Sequence, residues 1–274
     1  MNTSTADMST PPRHVFLWPD GCAHNGDGAD RPRLEIYLPA DRPATPVPAI
    51  VVCPGGGYAR RADHEGEPFA RLFAAHGMVG VVCHYRVAPH RHPAPYADAA
   101  RAMRLVRSMA DELGVDPQRV GLMGFSAGGH NACTVGTQPD LHHDEQDDLV
   151  GRFSARPDRL ILAYAVVSFV YRPHQGTVGN LLGANPTDVM LRKLSGELHV
   201  SADAPPAFLF HTADDPGVPV ENSLNFAAAC RSAGVPVELH VYAHGPHGVG
   251  IASDKPALRS WTQMLVDWLS DFGT

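Results

Sequence analysis

Residues 119–130 read Arg-Val-Gly-Leu-Met-Gly-Phe-Ser-Ala-Gly-Gly-His. The part from Val120 to Phe125 is apolar and suits a buried strand. Gly124-Phe125-Ser126-Ala127-Gly128 follows without a break and matches the spacing G-x-S-x-G. From Ala127 to about Gly136 the residues are small and suit a helix. A strand that passes straight into a helix strains the serine backbone and lifts its hydroxyl out of the sheet. The flanking positions must then be small, and Gly124, Gly128 and Gly129 meet that need. The five-residue pattern alone says little, because glycine and serine are common. The strand before it and the helix after it give it weight, and they make Ser126 the candidate nucleophile.

Working outward, short apolar runs bounded by glycine and proline recur along the chain. Leu34–Leu38, Ala49–Cys53, Val79–His84, Arg159–Val167, Ala207–His211 and Val237–Tyr242 read as strands, in addition to Arg119–Phe125. Such runs suit strands buried on both faces of a parallel sheet. Helical segments fall between them, at about Pro68–His76, Tyr96–Leu113, Val220–Ala233 and Pro256–Leu269. In the second of these, Ala99, Met103, Val106, Ala110 and Leu113 keep the three-four spacing of an amphipathic helix. Alternating strands and helices predict an α/β chain, with a doubly wound, mostly parallel sheet. Residues 1–32 are rich in Pro, Gly, Asp and Asn and read as an irregular arm. Residues 33–274 read as one domain. The stretch 170–200, glycine-rich and only briefly helical, reads as a small lid-like insertion over the sheet edge.

A nucleophilic serine needs fixed donors for the oxyanion that acyl transfer creates. One is the residue after the nucleophile, Ala127. The other comes from the loop after an earlier strand, here Pro54-Gly55-Gly56-Gly57-Tyr58. Three glycines let the backbone approach a substrate closely. Gly57 is the preferred donor and Gly56 the second. Pro54 stands where lipases and esterases often carry histidine. Tyr58 is a candidate to line the substrate pocket. With this elbow the acid and the histidine follow the serine in that order. After Ala207–His211 comes Thr212-Ala213-Asp214-Asp215-Pro216. Asp215 is the preferred acid and Asp214 the competitor. After Val237–Tyr242 comes Ala243-His244-Gly245-Pro246-His247-Gly248. His247, deeper in the loop, is the preferred base, with His244 as the alternative. His240 and His130 read as structural. Arg86 and Asp98 read as a structural ion pair near the site.

The bulk properties narrow the function. The chain has 274 residues and a formal charge of −7, and no basic cluster exceeds Arg60-Arg61. A nucleic-acid partner is therefore not expected. No stretch approaches the length of a membrane span, and Met1–Pro12 lacks the apolar core of a secretory signal. Read as given, the chain is expected to be cytoplasmic. Five cysteines, Cys22, Cys53, Cys83, Cys133 and Cys230, show neither CxxC spacing nor an even count. They read as buried thiols, not as a disulfide framework or a zinc site. His142-His143-Asp144-Glu145 could bind metal, but its polar setting reads as an exposed loop. No metal or cofactor is expected. Composition leaves the oligomeric state open.

Together these blocks resemble a known family. Pro54-Gly-Gly-Gly-Tyr58, Tyr85-Arg86, His92-Pro-Ala-Pro95, Gly124-Phe-Ser-Ala-Gly-Gly-His130, His211-Thr-Ala-Asp-Asp215 and His247-Gly248 are similar to the acetyl-esterase and acetyl-xylan-esterase-like branch of the α/β hydrolases. The resemblance runs from about residue 15 to the end. It implies the α/β-hydrolase fold, with Ser126, Asp215 and His247 as the triad and the glycine loop as oxyanion site. It also implies hydrolysis of short acyl esters on a small molecule, with O-acetyl groups on sugars or oligosaccharides as substrates. A broader carboxylesterase, a peptidase-like hydrolase, and a binding protein on a retired hydrolase scaffold are the competing readings. The last is disfavoured because a residue is available for every catalytic role.

Overall fold

A computed structural model describes residues 11–22, 31–41, 43–141 and 148–272. Eight strands form one sheet in the order β1-β2-β4-β3-β5-β6-β7-β8. They are β1 (Arg13–Phe16), β2 (Arg33–Tyr37), β3 (Val47–Cys53), β4 (Val79–His84), β5 (Val115–Phe125), β6 (Arg159–Ala163), β7 (Ala207–Thr212) and β8 (Val237–Tyr242). β1 and β2 run antiparallel to their neighbours. All other pairs are parallel. The helices are α1 (Glu67–Ala75), α2 (Ala94–Ser108), α3 (Ala110–Leu113), α4 (Ser126–Thr137), α5 (Gln175–Leu182), α6 (Asp188–Lys193), α7 (Glu221–Ser232) and α8 (Ser260–Ser270).

Strand alternation divides the core between two faces. Ile50, Val52, Met123, Phe125, Phe208 and Phe210 pack with Phe69 and Phe73 of α1 and Trp261 of α8. Ala49, Val51, Cys53, Leu160 and Leu162 pack with α2 and α4 on the other side. Trp261 is fully buried and stacks on Phe210, with centroids 4.4 Å apart. Truncating such a residue to alanine costs about 3–5 kcal/mol. The chain leaves β3 towards β4 on one side and returns to β5 on the other. The carboxyl ends of β3 and β5 therefore flank the point where the winding reverses, the usual crevice of an open α/β sheet.

Four expectations change in detail. The 1–32 arm is not wholly irregular, because Arg13–Phe16 pairs with β2 as an edge strand. Its side chains are mostly exposed, so no apolar alternation marks it in the sequence. The run Arg159–Val167 is strand only to Ala163. Tyr164 then takes φ 38°, and the turn brings the Val166 N–H to the Ser126 carbonyl at 3.0 Å. Val237–Tyr242 is an edge strand, half-buried instead of covered on both faces. The long 96–113 helix also divides at Met109 into α2 and α3.

Beyond β1, Leu17 and Trp18 are buried. The Trp18 indole donates to Asp98 at 2.7 Å. Asp98 also takes two guanidinium bonds from Arg86, at 2.7 and 2.8 Å. This expected pair is buried, and removing either partner would leave a charge uncompensated at a cost of about 3–5 kcal/mol. The insertion between β6 and β7 carries α5 and α6. It is bonded inward by Asn180 to the Gly57 carbonyl and by the Leu194 carbonyl to His130.

Candidate active site

β5 passes into α4 with no residue between them. Ser126 opens the helix at φ 49°, a left-handed conformation that costs a non-glycine residue energy. The neighbouring glycines make the turn possible. A Cβ on Gly124 would lie 2.2 Å from the Gly128 carbonyl oxygen. One on Gly128 would lie 2.2 Å from the Cys53 oxygen, and one on Gly129 2.4 Å from Ala165 Cβ. The elbow is thus pressed against both the end of β3 and the turn after β6.

The glycine loop follows β3. Gly56 and Gly57 have φ 123° and 65°, so side chains there would be strained. Gly55 is wedged, since its added Cβ would meet Ser126 Cβ at 2.9 Å. The Gly55 N–H donates to Glu65 Oε2 at 2.8 Å. The N–H groups of Gly56, Gly57 and Ala127 are bonded to no acceptor among the described residues. That of Ala127 is in the first turn of α4, where no intrahelical partner exists and the helix dipole favours negative charge. The sequence reading expects oxyanion donors at these three positions.

Histidine and acid complete the cluster. His247 Nε2 is 2.9 Å from Ser126 Oγ. His247 Nδ1 is 2.8 Å from Asp215 Oδ2. The other oxygen of Asp215 accepts the N–H groups of Gly217 and Val218 at 2.7 and 2.9 Å. Burial pushes the Asp215 carboxyl up, but bonds from His211, His247 and the Val218 N–H outweigh it. The net effect holds the group well below the usual carboxylate range, so it stays ionised. The competitors separate: Asp214 and His244 pair with each other at 2.9 Å, both exposed. His244 therefore lies away from Ser126, and the alternative base is not the one the fold brings to it. His240 binds Glu238 and lies outside the cluster.

Tyr58 departs from expectation. It has φ 59° and is buried, and its hydroxyl is 2.9 Å from His130 Nδ1. Burying the ring in the core takes it away from any substrate pocket. His130 packs behind the elbow as expected, stacked on Phe169 with centroids 4.0 Å apart. His142–Glu145 lies outside the described residues. Among the described residues no three His, Cys, Asp or Glu side chains are grouped to hold a metal. No helix among them is long and apolar enough to cross a membrane. Cys53, Cys83, Cys133 and Cys230 are buried free thiols.

Three residues near the site carry no signal in the sequence. Glu65 lies in a polar run, Asp63-His64-Glu65-Gly66-Glu67, that reads as surface. Asn180 donates to the Gly57 carbonyl at 2.8 Å from within the insertion. His174 caps α5 by accepting the Thr177 N–H, and burial together with nearby His247 pushes its pKa down. An unusual residue type within a polar segment could have flagged none of them. Their positions depend on tertiary folding.

Sheet order, elbow and glycine loop define the α/β-hydrolase fold. The chain belongs to the BD-FAE family, whose family model matches residues 34–230. It is 37% identical over 210 residues to endo-1,4-beta-xylanase B of Butyrivibrio fibrisolvens, covering 75% of this chain and 33% of that protein. It is 31% identical over 227 residues to the acetylxylan esterase of Xylanibacter ruminicola, covering 81% and 45%. The chain thus spans a third to under half of these curated relatives. Among solved structures, an acetyl ester-xyloside bifunctional hydrolase from Caldicellulosiruptor lactoaceticus superposes with TM-score 0.90 and 42% identity, over 98% of this chain and 99% of that one. A thermophilic esterase of Thermogutta terrifontis superposes with TM-score 0.80 and 30% identity, over 96% and 95%.

Proposed function

We propose that this protein is a serine esterase that removes short acyl groups, acetyl foremost, from acetylated sugars such as xylo-oligosaccharides. The observation that carries the reading is the line Ser126–His247–Asp215, with contacts of 2.9 and 2.8 Å. In this reading His247 takes the proton of Ser126 as the hydroxyl attacks the ester carbonyl. Asp215 fixes the imidazole tautomer and stabilises the imidazolium. The oxyanion is held by Ala127 and by Gly57, with Gly56 as second donor in the loop. His247 then protonates the leaving alcohol. Water, deprotonated by the same histidine, cleaves the acyl-enzyme.

The substrate class is supported by the acetylxylan esterase relative and by the acetyl ester-xyloside hydrolase neighbour. We read residues 33–274 as one catalytic unit, with the 170–200 insertion forming a wall of its site. The test is hydrolysis of nitrophenyl esters with acyl chains of about two to eight carbons, by wild type and Ser126→Ala, followed by acetate release from acetylated xylo-oligosaccharides. Activity that falls as the acyl chain lengthens and disappears in the variant is expected. Activity that survives Ser126→Ala would refute the reading.

A further inference from the structure

Glu65 is a buried carboxylate that the triad does not use; it is 2% exposed. It ends a short turn, Asp63–Glu65, just ahead of α1. Its Oε2 accepts the N–H of Gly55 at 2.8 Å, inside the glycine loop. Its Oε1 accepts the hydroxyl of Tyr164 at 2.9 Å. The Tyr164 oxygen in turn accepts the N–H of Gly250 at 3.1 Å, in the loop that carries His247. The Tyr164 ring also stands edge-on to the imidazole, with centroids 5.2 Å apart. Neighbouring His64 bonds the Gly248 carbonyl at 3.1 Å. One turn therefore grips both sides of the reaction centre.

The bond directions are fixed by chemistry. A carboxylate only accepts, so Tyr164 must donate to Glu65 and is left to accept from Gly250. Burial, reinforced by Glu65, pushes the Tyr164 pKa well up, so the phenol keeps the proton this arrangement needs. Burying a carboxylate is costly unless its oxygens are bonded, and an apolar residue of similar volume would often serve stability as well. Stability alone therefore does not account for the choice of residue. Gly55 has no room for a side chain, because an added Cβ would meet Glu65 Oε2 at 2.7 Å and Ser126 Cβ at 2.9 Å.

We infer that Glu65 is a positioning residue, which holds the oxyanion loop and the histidine loop in one register through Gly55 and Tyr164. The inference rests on the esterase reading above. Glu65 touches no reacting atom. Its loss would leave the substrate free to bind but would shift donors and imidazole relative to the tetrahedral intermediate, so the effect falls on kcat.

The test compares kcat and KM on nitrophenyl acetate for wild type, Glu65→Gln, Glu65→Ala, Tyr164→Phe and the Gln/Phe double variant, with Ser126→Ala as the blank. Glutamine offers one acceptor where two donors need one, so kcat falls about tenfold; alanine offers none, and kcat falls about a hundredfold, with KM within about twofold throughout. The double variant loses less than the product of the single losses, because both act through one bridge. If Glu65→Ala does not fold, as judged by circular dichroism and melting, the glutamine and phenylalanine variants decide. A folded Glu65→Gln with wild-type kcat, a loss confined to KM, or losses that multiply independently would overturn the inference. A wild type inactive on every ester would instead refute the esterase reading itself.

Discussion

Asp215 Oδ2 lies 2.8 Å from His247 Nδ1, while Asp214, one residue earlier, is turned outward to His244. Two adjacent acids thus have separate tasks. The Asp215 side chain is fully buried, and the Asp214 side chain is 53% exposed. Asp215→Asn offers His247 an amide in place of a carboxylate, which favours the wrong tautomer and leaves the imidazolium unsupported. Its kcat falls about 10⁴-fold. Asp214→Asn removes a solvent-screened pair and leaves kcat within about twofold. Steady-state kinetics on nitrophenyl acetate separate the two. Equal losses would mean that the acid has been misassigned.

Gly217 is small for a reason outside its own backbone. A Cβ there would sit 2.9 Å from Cγ and 3.2 Å from Cδ2 of His247. Gly217→Ala therefore pushes the imidazole off its line to Ser126 without disturbing the core. A displacement of well under 1 Å lowers kcat about tenfold, because reacting groups tolerate little misplacement. The melting temperature stays within a few degrees of wild type. A variant with full kcat would show that the ring has slack the observed contacts do not suggest.

Much of this site could be read from residue order alone. The elbow was legible because Gly124, Gly128 and Gly129 must be glycine wherever a strand turns this sharply into a helix. The acid and base were legible because each follows a strand end. Asp215 is preferred over Asp214 in sequence because it precedes the turn into the next helix, and in the fold its carboxyl is the one that faces His247. Tyr58 misled because residues next to a glycine loop usually face the pocket, and a positive φ here turns the ring into the core. Glu65 and Asn180 were invisible, because their partners Gly55, Tyr164 and Gly57 are distant in sequence or lack side chains to advertise the contact. The edge strand Arg13–Phe16 was missed because it buries too little to show a pattern.

Asn180 ties the insertion to the glycine loop by one bond, Nδ2 to the Gly57 carbonyl at 2.8 Å. The same peptide region presents the N–H that the esterase reading assigns to the oxyanion. Asn180→Ala frees that carbonyl and lets the loop rotate. One neutral hydrogen bond is worth about 0.5–1.5 kcal/mol, so kcat/KM falls about two- to tenfold. Asn180→Asp is worse than alanine, because a carboxylate would face the Gly57 carbonyl and add negative charge near the developing oxyanion. The comparison is made at one pH above the carboxylate range. An aspartate variant more active than the alanine variant would show that Asn180 does not set the loop.

His130 makes a pH-dependent contribution to stability. Its Nε2 faces the Leu194 carbonyl at 2.8 Å and so carries the proton, while Nδ1 accepts from the Tyr58 hydroxyl at 2.9 Å. Burial pushes its pKa down to about 4. Unfolded, the ring titrates near 6.5. Between those values the unfolded chain binds more protons than the folded one, so stability falls as pH drops from about 6.5 towards 4 and levels off below it. His84 and His174 are also held down by burial, so the wild-type slope alone does not isolate His130. The difference between wild type and His130→Gln does. The variant is less stable at pH 7, because it loses packing on Phe169 and the fit to Tyr58. Its melting temperature approaches that of wild type as pH falls to about 4.5, since glutamine takes up no proton in the unfolded state. Calorimetry at matched ionic strength across that window gives the answer. A constant difference would mean that the His130 ring accepts a proton as readily in the fold as outside it, and the two-bond neutral arrangement would have to be abandoned.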